Sequence, residues 1–395
     1  MTRDRERIVL GATVGRSLSV LDGLPQHLAH LGWDVHVVSS GGAELEALGA
    51  LPGVTATALS MERDPSPLRD LVSLWAWLRY LRRTRPTVLF VGTPKAALLA
   101  LLAGAVMRVP RRVYILRGLR LESARGVVRI GLEAMERLTC RLAHVVVSVS
   151  PSLRAKALEL GIVEESKIRV LGAGSSNGVD LVRFRPRPRA THLGDLQLAG
   201  DVPVVGFVGR LTRDKGLATL AEARRTLLEN ELDHQLLIVG GVDGDADSLA
   251  ELTSTGRPAV QIGHVPDTAP YYALMDVVVL PTLREGFPNT VLEASASGRP
   301  VITTDATGAV DSVVPGRTGL VVPTADPPAL AAAIEAVLAD VELADRLGRG
   351  GRRHVEEHFA RADVWDRLVD VLLPAAPAAG TDEPLEGHRD QARDD

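Results

Sequence analysis

Residues 277–300 restrict this chain more than any other stretch. Val277 to Leu280 is an apolar strand that feeds Pro281-Thr-Leu-Arg-Glu285-Gly-Phe-Pro288, and a helix begins near Asn289 and ends at Gly298. Glu285 therefore sits on the loop at the carboxyl end of a strand, and Glu293 lies inside the following helix. In open α/β sheets ligands bind in that crevice. The free amides near Asn289, Thr290 and Val291 form a helix N-terminus, which attracts phosphate. A second carboxylate one to two turns along is placed to reach a ribose hydroxyl pair. On these residues alone, a βα loop with two surface glutamates is an equally good reading.

A second loop of the same kind shifts the balance. Val204 to Val208 is another apolar strand, followed by Gly209-Arg210-Leu-Thr-Arg-Asp-Lys215-Gly216. Arg210 offers a planar fork of donors and Lys215 a point charge, a pair suited to a diphosphate. Strands at Ile8–Ala12, Val35–Ser39, Val88–Val91, Val113–Leu116, Val145–Ser150 and Lys167–Leu171 alternate with helices before the linker at 184–199. After it, strands at Val204–Val208, Gln235–Val239, Val260–Ile262, Val277–Leu280, Val301–Thr303 and Gly319–Val322 do the same. This alternation predicts two doubly wound α/β halves. The opening βαβ unit lacks Gly-x-Gly-x-x-Gly, so the dinucleotide fingerprint is absent. Gly15 either admits a ligand close to the backbone or makes a tight turn.

Gly-Arg-Leu-x-x-x-Lys-Gly together with Glu-Gly-Phe-x-x-x-x-x-Glu resembles the retaining glycosyltransferases of family four, which have the GT-B fold of two Rossmann-like domains facing a cleft. The resemblance extends over most of residues 8–372. Gly-Ser-Ser-Asn177-Gly-Val-Asp and Leu116-Arg117-Gly118-Leu-Arg120 are similar to the branch that builds bacterial capsular and other surface polysaccharides. The resemblance implies that Arg210 and Lys215 hold the donor diphosphate, Glu285 contacts the donor sugar and Glu293 the ribose. It implies further donor contacts at Gly15, Gly209 and Val265, and at Phe287, Pro288, Asn289, Thr290 and Val291. Arg117, Arg120 and Asn177 are expected on the acceptor or interdomain side. Many relatives have histidine where this chain has Arg117, so no histidine is assigned to the donor sugar.

The implied organisation is an acceptor-binding domain over 1–183, a linker over 184–199 and a donor-binding domain over 200–358. A last helix over 359–373 crosses back to the first domain, and 374–395, rich in Pro, Ala, Gly and charge, is expected to be a disordered tail. The implied reaction moves a hexose or N-acetylhexosamine from a nucleoside-diphosphate sugar, UDP-linked in the favoured reading, to a lipid-linked saccharide. Competing readings are a transferase on a soluble aminocyclitol-type acceptor, a sugar-nucleotide epimerase of the same fold, and a silent sugar-nucleotide binder.

Charge is uneven along the chain. Residues 1–185 carry 26 Lys and Arg against 16 Asp and Glu, and the remainder 19 against 33. Nine arginines fall between Arg108 and Arg141 with three acids. The first half either meets an anionic surface, such as lipid headgroups, or is a solvated basic face. A nucleic-acid partner is not expected. Cys140 is the single cysteine, which excludes a disulfide framework and a cysteine metal cluster. The charged start, Met1 to Arg7, argues against a signal peptide, and the longest apolar run, Ala96 to Met107, is too short to span a bilayer. These features point to a cytoplasmic enzyme, and the family resemblance implies that it sits peripherally on the inner membrane face.

Three motifs imitate other sites. His354-Val-Glu-Glu-His358 has zinc-ligand spacing but no evident third ligand, and it is expected at a domain's end away from the ligand loops. Asp243-Gly-Asp-Ala-Asp247 imitates a calcium loop but has Ser248 and Ser254 at the sixth and twelfth positions. Gly172-Ala-Gly174 has no helix start after it. No metal or other cofactor is expected, since Arg210 and Lys215 supply the positive charge.

Overall fold

The computed structural model describes residues 6–62, 66–190, 192–193, 196–199, 202–254 and 256–373. The first sheet contains β1 (Arg7–Gly11), β2 (Asp34–Ser39), β3 (Val54–Ala58), β4 (Val88–Val91), β5 (Arg111–Leu116), β6 (Val145–Ser148) and β7 (Ile168–Val170), all parallel, in the order β3-β2-β1-β4-β5-β6-β7. A short antiparallel hairpin, β8 (His192–Leu193) with β9 (Leu196–Gln197), follows. The second sheet contains β10 (Val204–Val208), β11 (Gln235–Val239), β12 (Val260–Ile262), β13 (Val277–Leu280), β14 (Val301–Thr304) and β15 (Leu320–Val322), also parallel, in the order β12-β11-β10-β13-β14-β15. The two doubly wound sheets are the expected architecture.

The composition of the strands explains the layering. Every residue of β4, β6, β10, β13 and β14 is buried. A strand covered on both faces has no polar side to alternate with, which is why these read as unbroken apolar runs. In each sheet the strand order reverses beside the first strand, between β1 and β4 and between β10 and β13. The carboxyl ends at such reversals splay the loops apart and leave a crevice.

The helix Arg361–Leu372 leaves the second half and packs on the first. Val179 and the segment entering this helix exchange backbone hydrogen bonds, Val179 N to the Phe359 carbonyl at 2.9 Å and Arg361 N to the Val179 carbonyl at 3.1 Å. The Arg111 guanidinium donates twice to the carbonyl of Val371, at 3.0 and 2.8 Å.

Four differences from the sequence reading have physical reasons. The strand Val54–Ala58 and the helix Ala43–Gly49 are not expected from the sequence, because alternating Val-Thr-Ala-Thr-Ala is a weak edge-strand signal and seven residues hold barely two helical turns. The linker carries the β8–β9 hairpin. After Thr13–Ser17 the apolar periodicity predicts one helix running to Leu31, but the chain forms a 3₁₀ segment, Gly15–Leu21, followed by the α-helix Leu24–His30, with Pro25 in its first turn. The periodicity of Val341 to Leu347 predicts a short closing helix there, but the helix continues to His358 through Gly348, Gly350 and Gly351. Glycine weakens a helix, but here a methyl group at Gly350 would overlap the Arg317 carbonyl, so close packing outweighs propensity. The tail at 374–395 lies outside the described residues. Among the described residues no helix is long and apolar enough to cross a membrane.

Candidate active site

The loops after β10, β11 and β13 are stitched into one platform. Leu211 N donates to the Gly241 carbonyl at 2.9 Å and Asp243 N to the Leu211 carbonyl at 3.0 Å. Leu283 N donates to the Asp214 carbonyl at 2.8 Å, and the Thr282 hydroxyl to the same oxygen at 2.9 Å. Gly216 allows this approach: its φ is +74°, and a side chain there would overlap the Pro281 carbonyl. Gly209 N, at the end of β10, donates to the Val239 carbonyl at 2.9 Å.

On this platform Lys215 donates to the Glu285 carboxylate, and both side chains are largely buried, 16% and 13% exposed. Arg210 pairs with Asp243 at 3.0 Å, with 59% and 47% exposure. An exposed pair of this kind is a weak lock, so the Arg210 guanidinium is available to an incoming anion. Asp243 is thereby a partner of Arg210. Asp214 accepts from Thr212 at 2.5 Å and pairs with Arg284 at 3.0 Å. Burial raises its pKa, but the Thr212 hydroxyl and the Arg284 and Lys215 charges outweigh that and hold it below the ordinary value.

The helix after β13 spans Asn289–Ala296 with Pro288 as its N-cap residue, and no side chain caps it. Val291 N is already bonded to the Pro288 carbonyl at 3.2 Å, so the expected anion-binding amides reduce to those of Asn289 and Thr290. The Thr290 hydroxyl donates to the Val208 carbonyl at 3.1 Å, tying the helix start to the end of β10. Phe287 and Val291 are buried beneath it. Val265, on the loop after β12, is half-buried.

Glu293 is fixed from one side. Tyr272 and Thr268 both donate to Oε2, at 2.9 and 3.1 Å, leaving Oε1 for another donor. Burial pushes its carboxyl above the ordinary glutamate range, and the two hydroxyls only partly reverse this. Sequence reasoning misses Tyr272 and Thr268, because a Thr-x-x-x-Tyr spacing on a short helix is too common a signal.

The two halves meet across Arg117–Gly118 and Glu285–Gly286. A methyl at Gly286 would overlap the Arg117 carbonyl, and one at Gly118 would lie 3.6 Å from Gly286 N. Thr307 donates to Glu122 at 2.8 Å, and Gly308 N donates to the Ser152 hydroxyl at 2.7 Å. Ser152 N donates to Asp311 at 2.9 Å. Arg117 Nε donates to Ser176 at 2.7 Å, while its Nη2 is buried without a protein partner. Burial lowers its pKa to about 10, so it stays charged near neutrality. Asn177 joins the first domain to the returning helix: its amide nitrogen donates to the Asp22 carbonyl at 2.8 Å and its amide oxygen accepts from Trp365 at 2.6 Å. Arg120 is exposed at the start of a short 3₁₀ turn. Gly15 is buried against the Glu44 carboxylate, 2.8 Å from where its Cβ would be.

His354 and His358 stack edge to face with centroids 4.8 Å apart. They are not remote from the ligand loops, because Phe359 touches both His354 and Phe287. Among the described residues no group of three His, Cys, Asp or Glu could hold a metal ion.

The comparisons with known proteins agree with this geometry. Residues 202–340 match the family described as Glycosyl transferases group 1, and residues 20–174 the Glycosyl transferase 4-like domain. The chain is similar to the capsular polysaccharide biosynthesis glycosyltransferase CapM of Staphylococcus aureus, 35% identical over 91% of this chain and 94% of that protein. It is also similar to the D-inositol 3-phosphate glycosyltransferase of Nocardia farcinica, 35% identical over 51% of this chain and 46% of that one. Among solved structures it resembles a glycosyltransferase from Rickettsia africae, with TM-score 0.76 and 18% identity over 94% of this chain and 98% of that one. It likewise resembles Anabaena HepE in complex with UDP-glucose, with TM-score 0.73 and 18% identity over 93% and 99%. These two show the fold alone. The chain belongs to the group 1, family-four-like glycosyltransferases with the GT-B fold.

Proposed function

We propose that this glycosyltransferase moves a hexose or N-acetylhexosamine, with retention, from a UDP-linked sugar to a lipid-linked saccharide in surface-polysaccharide assembly, working at the inner face of the cell membrane. The observation that carries the reading is the platform of joined loops that pairs Lys215 with Glu285 beside the Arg117–Gly118 segment, with the exposed Arg210 on the same loop as Lys215. The similarity to CapM supports the capsular branch, and the solved HepE complex supports a UDP-sugar donor.

In this reading Arg210 and Lys215 receive the donor diphosphate and stabilise the negative charge that grows on it as the glycosidic bond breaks. Preorganised cations of this kind act in place of a divalent ion. The amides of Asn289 and Thr290 add the positive end of a helix. Oε1 of Glu293 accepts from the ribose hydroxyls. Glu285 positions the sugar beside Lys215. No side chain acts as nucleophile: the acceptor hydroxyl attacks the face the diphosphate leaves, and a departing phosphate oxygen takes its proton.

The test is a panel of nucleotide sugars incubated with lipid-linked and water-soluble acceptors, read by mass spectrometry for diphosphate release and glycosylated product. Transfer from a UDP-sugar supports the proposal. Donor isomerised in the absence of any acceptor identifies an epimerase instead, and no turnover of any donor contradicts the proposal.

A further inference from the structure

The first domain presents a large apolar surface that nothing in the fold covers. Helix Pro67–Thr84 exposes Leu68, Leu71, Val72 and Trp75, with Leu68 79% and Trp75 61% accessible. Spacings of three, one and three put them on one stripe of the helix. Helix Gly126–Leu142 exposes Val127, Val128, Ile130 and Leu138, with Val127 84% and Ile130 68% accessible. Both helices pack against the helix Pro94–Val106, so all three lie on one face of the first sheet. Both also begin at the carboxyl edge of the strands, since a crossover helix runs back antiparallel to its strand. Most of the apolar residues therefore sit at the same end of the domain, on the side of the Arg117–Gly286 crevice. Isolated exposed leucines are ordinary, but two aligned stripes are not.

The polar surroundings identify what covers this face. Arg79, Arg82 and Arg83 continue the exposed stripe of the first helix, and Arg141 that of the second, while Arg137 is held by Glu133 and the Leu160 and Gly161 carbonyls. Arg79 lies 5.6 Å from the Trp75 ring centroid. Arg120 and Arg125 are exposed just ahead of the second helix. An apolar stripe that passes into arginines along one helix face is the pattern of a helix lying in a bilayer interface, where side chains enter the acyl boundary and guanidinium groups meet phosphate. Arginines outnumber acids on both helices, the charge complement of an anionic lipid surface.

We infer that the outer faces of helices 67–84 and 126–142 insert Leu71, Trp75, Val127 and Ile130 into an anionic lipid bilayer, setting the crevice at the membrane surface. This inference rests on the reading of a lipid-borne acceptor and deepens it. Binding then has two parts: an electrostatic one that salt screens and an apolar one that salt leaves intact.

Vesicles of phosphatidylglycerol and phosphatidylcholine with brominated acyl chains, free of any acceptor, test it. Trp33 and Trp77 are buried and Trp365 is half-buried, so quenching of emission by the chains reports Trp75. Wild type is expected to be quenched and to retain part of its binding in high salt. The Trp75→Phe variant should bind without that quenching. Joint replacement of Leu71, Trp75, Val127 and Ile130 by Ser should lower vesicle partitioning at least about tenfold, as burial of even one such side chain implies. All four sites are exposed, so the circular dichroism spectrum should be unchanged. Binding without quenching, an unaffected serine variant, or a dimer that the serine variant abolishes with no vesicle binding would each overturn the inference. Diphosphate release with a water-soluble acceptor is measured alongside: its persistence leaves the donor chemistry standing even where the membrane inference fails.

Discussion

Lys215 and Glu285 lie 70 positions apart and form an ion pair at the meeting of the loops after β10 and β13. Each side chain is therefore held in place before any donor arrives. In the proposed reading, a diphosphate that engages Lys215 would share it with Glu285 and leave the carboxylate beside the sugar. Orientation fixed in advance in this way is where a charge-stabilising site draws its strength.

The two glutamates should separate by assay. Glu293→Gln is expected to weaken nucleoside diphosphate affinity about ten- to a hundredfold, the range for losing one charge-assisted hydrogen bond. Glu285→Gln is expected to leave that affinity near wild type and to reduce transfer. Calorimetry with the diphosphate, together with turnover, checks both; equal affinity in wild type and Glu293→Gln would refute the ribose contact.

Closure depends on absent side chains. Gly286→Ala puts a methyl into the Arg117 carbonyl, so the crevice should stay open. Turnover is expected to fall by about 10²-fold, the scale of a roughly 1 Å misplacement. X-ray scattering should show a larger radius of gyration. Wild-type scattering and wild-type turnover in this variant would contradict the closed arrangement.

Burial pushes the Glu136 carboxyl up from 4.5 to about 7, and the Tyr114 hydroxyl bonded to it at 3.0 Å only partly opposes this. In the unfolded chain the group ionises near 4.5, in the fold near 7. Stability from the neutral acid is present below about 4.5, is lost as pH rises through about 7, and stays lost above. A tenfold change in the ionisation constant between fold and unfolded chain corresponds to about 1.4 kcal/mol. Glu136→Gln should therefore be more stable than wild type at pH 8, by order 1–3 kcal/mol, relative to their difference at pH 5. Denaturant titrations at the two pH values decide it, and a pH-independent difference would count against it.

Excess chelator should leave transfer intact. Asp243 is engaged by Arg210, and its neighbours do not complete a metal site among the described residues. Loss of activity with EDTA, restored by manganese, would assign the 243–247 loop a role in catalysis.

The strand-loop-helix units are legible in the sequence because buried parallel strands are unbroken apolar runs, and Arg210, Lys215, Glu285 and Glu293 follow them at short, fixed offsets. Side-chain pairings are not legible. Nothing in the spacing joins Lys215 to Glu285, Arg210 to Asp243, or Tyr272 and Thr268 to Glu293, because each bond depends on how neighbouring loops pack. The apolar stripe at Leu68–Trp75 is hidden for the same reason: composition shows the arginines of that helix, and only the packed structure shows which face stays open. Helix 341–358 reads as shorter in the sequence because glycine signals an end unless a close neighbour demands it.

The most direct test of the central claim is donor turnover by Arg210→Ala and Lys215→Ala, purified and shown to be folded, with the nucleotide sugar the wild type uses. Each variant is predicted to release nucleoside diphosphate at least about 10²-fold more slowly than wild type, the scale of losing one preorganised charge-stabilising donor. Near-normal release by both variants would contradict the assignment of these two cations to the leaving group, and with it the account of this crevice as the transfer site.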